Sequence, residues 1–272
     1  MDTQMSSEST FTSSKVPLTG QEQWEHFTAH HCGRWQGVLL RYDGAGKVLD
    51  VLDSVRSFIP SEDWLTVTHS LDFSSRITGT VTRKQWMLTP GNPLITHPID
   101  PSAYLLFNGK PPDVMVGSKR TGETFYFEPY LIAREKRTSV VVMYKEGNSS
   151  QPRIFSFFRE VKEGSEKPWW SEETICTIAH TSLLTVPAHS SEETYVSLDE
   201  MAQMPVPSQL FGIQGDFLHI QFPDAVDLVV SLNRFETPYY ASMWWVPAQD
   251  EATRICSLIY RESNQKPEVL SV

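Results

Sequence analysis

The sequence predicts an all-β protein, two antiparallel β-barrels in tandem behind a short N-terminal helix, and three observations carry that expectation. Short segments rich in β-branched and aromatic residues recur along the chain, each bounded by turn residues. Two of them alternate in the manner of half-buried antiparallel strands. Leu65, Val67, His69, Leu71 and Phe73 alternate with Thr66, Thr68, Ser70 and Asp72, and Val226, Leu228, Val230 and Leu232 alternate with Asp227, Val229, Ser231 and Asn233. No stretch resembles the crossover helix that parallel strands need, and closure into barrels would hide the edges of so many short strands.

Residues 1–19 are rich in Ser and Thr, carry Asp2 and Glu8 and hold no apolar run, so they read as a disordered lead rather than a secretory signal. Thr19-Gly20-Gln21-Glu22 is a capping box, which starts a helix. Trp24, Phe27 and His31 share one face of it, and Gly33 ends it, so the helix is expected to plug a barrel mouth. Gly33-Arg34-Trp35-Gln36-Gly37 then enters the apolar run Val38-Leu39-Leu40. A tryptophan between glycines at a strand entry is a packing device: Trp35 fills one barrel end while Gly33 and Gly37 let the backbone close in.

Strand-like segments follow at 34–42, 47–59, 64–73 and 76–87. In the last of these, Ile77, Gly79, Val81, Arg83, Gln85 and Met87 are expected on the inner face. Pro90, Pro93, Pro98, Pro101, Pro111 and Pro112 restrict 89–119 to short strands at 103–107 and 114–118. Segments at 123–131, 137–145 and 153–161 complete a first unit, residues 20–163, and the breaker-rich stretch 164–168 links it to a smaller second unit, residues 168–272.

A formal net charge of -10 opposes a nucleic-acid backbone. Cys32, Cys176 and Cys256 lie far apart with no C-x-x-C spacing, which suggests neither a disulfide framework nor a zinc site and fits a cytoplasmic location. No apolar run is long enough for a transmembrane helix.

None of the familiar nucleophile-elbow, phosphate-loop, dinucleotide or zinc-protease motifs occurs, so no catalytic residue and no cofactor is assigned. His26 and His30, four apart beside His31 and Cys32, could start a metal site, but no carboxylate or second cysteine lies close in sequence. A surface or helix-packing cluster is the favoured interpretation.

His69, Arg83 and Gln85, all expected to point inward, are the candidate ligand-binding residues. In the plainer view they satisfy one another in a closed, partly polar core. In the functional view they line a cavity for an amphipathic molecule whose acid end meets Arg83. Of the adjacent Trp244 and Trp245, one should face inward and the other outward, where it packs between the barrels or marks a partner surface.

With the capped helix, the Gly33-Arg34-Trp35-Gln36-Gly37 entry, the Tyr42-Asp43-Gly44 turn and the Ser54-Val55-Arg56-Ser57-Phe58 strand, the chain resembles a cyanobacterial and plastid family of unknown function with lipocalin-like (calycin) barrels. The resemblance implies that an arginine packs over Trp35, with Arg159 or Arg153 as its counterpart. It extends to a chloroplast assembly factor of the ATP synthase catalytic head, which implies ATP synthase head subunits as protein partners, by analogy of fold alone. Three functions follow in order: a non-enzymatic binding module for a small hydrophobic or amphipathic ligand, an assembly chaperone, and a barrel enzyme resembling the cyclases of oxidised fatty acids, whose turnover would collapse on Arg83→Ala.

Overall fold

The computed structural model describes residues 19–90, 95–96, 103–107, 114–121, 124–144, 152–165, 168–178, 180–186, 215–232, 239–247, 254–260 and 268–270, so the expected lead at 1–18 lies outside the described residues. Its one described helix, α1 (Gly20–His30), begins as the sequence implies. The Thr19 hydroxyl accepts from the Glu22 N–H, and the Glu22 carboxylate accepts from the Thr19 N–H at 2.8 Å. Trp24 and Phe27 are buried beneath it.

The described strands form two antiparallel sheets. The first contains β1 (Gly33–Asp43), β2 (Val48–Pro60), β3 (Val67–Ser75), β4 (Val81–Leu88), β5 (Ile95–Thr96), β6 (Ala103–Phe107), β7 (Val114–Thr121), β8 (Thr124–Ala133), β9 (Lys136–Tyr144) and β10 (Pro152–Lys162). Their order is β4-β3-β2-β1-β10-β9-β8-β7-β6-β5. The second sheet takes β11 (His180–Val186), β12 (Gly215–Phe222), β13 (Val226–Ser231), β14 (Tyr239–Trp245), β15 (Arg254–Tyr260) and β16 (Glu268–Leu270) in chain order.

Two closed barrels were the expectation, but among the described residues no ladder joins β4 to β5 or β11 to β16. β5 is only two residues long, in the proline-rich stretch where ladder donors are missing.

The first sheet is nevertheless strongly curled. β2 and β8 are four strand spacings apart, about 19 Å in a flat sheet, yet Arg56 of β2 donates to the Tyr130 hydroxyl of β8. Trp35, Leu39, Arg56, Phe58, His69 and Phe158 face the hollow of this curl, and α1 closes one end through Trp24, Phe27 and Phe58. On the opposite face Val38, Leu40, Tyr42, Val140, Val142, Phe155 and Phe157 pack against Phe222, Val226, Leu228, Val230, Met243 and Trp245 of the second sheet. The apolar face of the second sheet is thus covered by the first rather than by closing on itself.

Trp245 is the inward member of the Trp pair; it lies in this shared core, 4.7 Å from the Trp169 ring, while Trp244 stacks on His219. Tyr144 donates to the Ser231 carbonyl across the same interface, and Arg159 Nε meets Asp224 at 2.9 Å. No helix among the described residues is long and apolar enough to cross a membrane.

Candidate functional site

The hollow of the first sheet is a pocket of about 310 Å³, lined from Phe58, which packs against α1, to the exposed Arg41 near the far end of β1. Alternation along each strand puts every second side chain into it, so its walls carry Leu39, Leu71, Phe73, Trp86, Val141 and Phe158. At its closed end sit charges that share parity with these apolar residues. Arg56 lies two residues before Phe58 and Glu160 two after Phe158 on the same strand faces, and Arg137 lies across from Glu160 in register.

These charges pair with one another, although Arg137 Nη1 and Nη2 are buried without a hydrogen-bond partner. Glu160, fully buried, receives Arg137 Nε at 2.7 Å through one oxygen and faces Arg56 Nε at 3.2 Å through the other. Glu128 accepts from the Ser139 hydroxyl at 3.1 Å and pairs with Arg56 Nη2 at 3.4 Å. Burial alone would raise the Glu160 carboxyl, but the Arg137 and Arg56 charges hold it below the ordinary carboxylate range. Burial also lifts the Tyr130 hydroxyl well above its usual value, so it stays protonated beside Glu128 and Arg56. Arg137 spreads its guanidinium over the Trp35 ring at 4.2 Å, and Arg56 lies over Phe158 at 4.1 Å.

His31 caps this end from the helix terminus, its carbonyl accepting from Trp35 Nε1 at 3.0 Å. Burial first, and then the Arg137 charge, hold its imidazole well below its usual titration range, so it is neutral in the fold. The unfolded chain takes up a proton below pH about 6.5 that the folded chain declines. Stability present above that pH is therefore lost as the pH falls. His31→Gln should flatten the decline of the urea midpoint between pH 7.5 and 5.0, a component of up to about 1.4 kcal/mol per pH unit. An unchanged slope would contradict this.

The structure separates the three candidate binding residues. His69 faces the pocket, buried between Phe58 at 4.0 Å and Trp86 at 4.4 Å between ring centroids. Arg83 and Gln85 do not: the expectation that they point inward is corrected. Arg83 lies on the outer face, its side chain 76% exposed, and its Nε donates to Asp72 at 2.7 Å. Gln85 is exposed on the same face, opposite Ser70. The hairpin before β4 turns at Gly79, with φ +71°, so β4 starts at Val81 and its even residues point inward.

Trp35 is fully buried at the closed end. Gly33 has φ +122°, and Gly37 is pressed against β10, as the entry motif implies. Arg159 does not pack over Trp35, however. It points to the opposite face, over Phe157 and toward Asp224, and Arg137 of β9 takes the place over the indole. The side chain of Arg153, the other counterpart considered, lies outside the described residues. His26 and His30 lie side by side with ring centroids 6.4 Å apart, and no group of three or more metal-ligating side chains occurs among the described residues.

The buried ions Arg56, Arg137 and Glu160 and the half-buried Glu128 are not among the residues that the sequence singles out as a site. Their shared parity with Phe58 and Phe158 is the signal that marks two of them.

A family model described as domain of unknown function (DUF3598), N-terminal, matches residues 20–165. Among solved structures, a protein of unknown function from the DUF3598 family of Nostoc punctiforme is similar, with 13% identity and a TM-score of 0.57 over 91% of this chain and 96% of that chain. An S-type phycobiliprotein lyase, CPES, from Guillardia theta has 13% identity and a TM-score of 0.40 over 54% of this chain and 96% of its own. Rv2717c from M. tuberculosis has 12% identity and a TM-score of 0.35 over 48% and 92%. No curated protein matches. The likeness to the Nostoc protein is one of fold.

Proposed function

The chain belongs to the DUF3598 family, a family of unknown function, and we propose that in this member the curled first sheet is a lipocalin-like barrel that binds a small hydrophobic or amphipathic molecule without transforming it. The observation that carries this reading is the pocket of about 310 Å³ on the concave face. That volume lies at the lower end of the range of small-molecule sites, and an apolar, aromatic wall with a few polar groups at one end is their usual composition. Arg56, Glu128 and Tyr130 are engaged with one another, so the pocket offers a guest mainly shape and apolar surface. A cyclase reading that depends on Arg83 loses its support, because Arg83 lies outside the pocket.

Titration with the neutral fluorescent probe N-phenyl-1-naphthylamine tests the proposal. The unsubstituted protein should give a saturable, blue-shifted enhancement. Val141→Trp, which places an indole in the hollow from a partly exposed wall position, should weaken binding at least about tenfold while moving the unfolding midpoint by only a few degrees. No saturable signal, or equal binding by Val141→Trp, would refute it.

A further inference from the structure

We propose that the natural guest is an anionic amphiphile, held with its acid group at the pocket mouth by Arg41 and its apolar body directed toward His69 and Trp86. This inference rests on the pocket reading above and adds the charge and orientation of the ligand.

Two cationic side chains line the pocket, Arg56 and Arg41. Arg56 is buried at the closed end, where Glu160, Glu128 and Tyr130 already surround it. Arg56 and Arg137 are matched by Glu160 and the half-buried Glu128, two positive against two negative charges, so this cluster is electrically balanced. An anionic group driven there would meet Glu128 and lose its hydration for no net attraction.

Arg41 differs on every count. It stands near the far end of β1, six residues beyond Trp35 and so about 20 Å along the strand from the plugged end. Its side chain is exposed, lines the pocket, and forms no hydrogen bond or ion pair among the described residues.

Its cross-strand neighbours leave it free. Ser156 is uncharged, and Asp50 is occupied on one oxygen by the Ser75 hydroxyl at 2.7 Å and by the Val51 N–H at 2.9 Å. The β1–β2 register also shifts between Arg41 and Tyr42. An irregularity of that kind at a rim re-aims the adjacent side chain. Between Arg41 and His69 the wall carries the apolar Leu39, Leu71, Phe73 and Phe158, together with Arg56, Glu128 and Tyr130, which are engaged with one another. A carboxylate or sulfonate on an acyl or aryl body matches this sequence of cation, apolar wall and closed end, the guanidinium fork donating to two anionic oxygens.

The test measures displacement of N-phenyl-1-naphthylamine by decanoate, decan-1-ol and decylammonium, from the unsubstituted protein, Arg41→Gln and Arg41→Lys, at low and high salt. Decanoate should bind about tenfold more tightly than decan-1-ol. Arg41→Gln should erase that preference while leaving decan-1-ol unchanged, and Arg41→Lys should keep part of it. High salt should narrow the gap, because the contact is solvent-exposed. If the probe binds but the three competitors are equivalent, or decylammonium is preferred, or Arg41→Gln weakens acid and alcohol alike, the anion inference falls and the pocket reading survives. If the probe does not bind at all, both fall.

Discussion

Gly37→Ala should be the most damaging single methyl group in the chain, costing about 4 kcal/mol or more and leaving little folded protein. A Cβ at Gly37 would lie 1.9 Å from the Arg159 carbonyl oxygen and under 3 Å from two further backbone atoms of β10. Those atoms belong to the ladder between β1 and β10, so neither side can yield without breaking cross-strand hydrogen bonds. Gly79→Ala is the matched control. Gly79 has φ +71° but no atom within 4 Å of its would-be Cβ, so only backbone strain of about 1 kcal/mol is expected. Circular dichroism and urea unfolding of the two variants would check this, and similar midpoints for both would contradict the close approach.

Glu160→Gln should cost about 3–5 kcal/mol, because it leaves Arg56 and Arg137 buried with one fewer counter-charge. The remedy is counterintuitive. Replacing all three groups with apolar residues, as in Arg56→Met, Arg137→Met and Glu160→Leu together, should recover most of that loss, since three desolvation penalties disappear along with the attractions that offset them. Urea midpoints of the single and triple variants, compared at pH 7.5, give the answer. A single variant as stable as the unsubstituted protein would mean that water reaches the cluster and screens it.

Much of the fold was legible because its determinants are local. The capping box of Thr19 and Glu22 specifies α1, and the alternation through Val67, His69 and Phe73 specifies the inward face of β3. The Gly33-Trp35-Gly37 entry marked the plugged end, and the expectation of a family of unknown function agrees with the match over residues 20–165.

The features that the sequence does not reveal depend on contacts between distant strands. β4 is an edge strand whose Thr82 and Lys84 face inward near an open rim, so neither of its faces is uniformly apolar and its parity cannot be read. Arg137 takes the place over Trp35 because β9 lies two strands away across the curl, a relation that spacing in the chain does not reveal. The balance among Arg56, Arg137, Glu128 and Glu160 likewise needs β2, β8, β9 and β10 brought together.

The central position of β1 also sets a timetable for folding. One of its edges joins β2, its neighbour in the chain, but the other joins β10, so that Trp35 stands opposite Lys162. At about 5–20 residues per second, synthesis leaves that second edge without its partner for roughly 6 to 25 s. Throughout that interval Val38, Leu39 and Leu40 form an apolar strand with one open side, a template for pairing between nascent chains. An ample supply of chaperones that hold nascent chains should therefore raise the soluble yield more than any change to the finished surface.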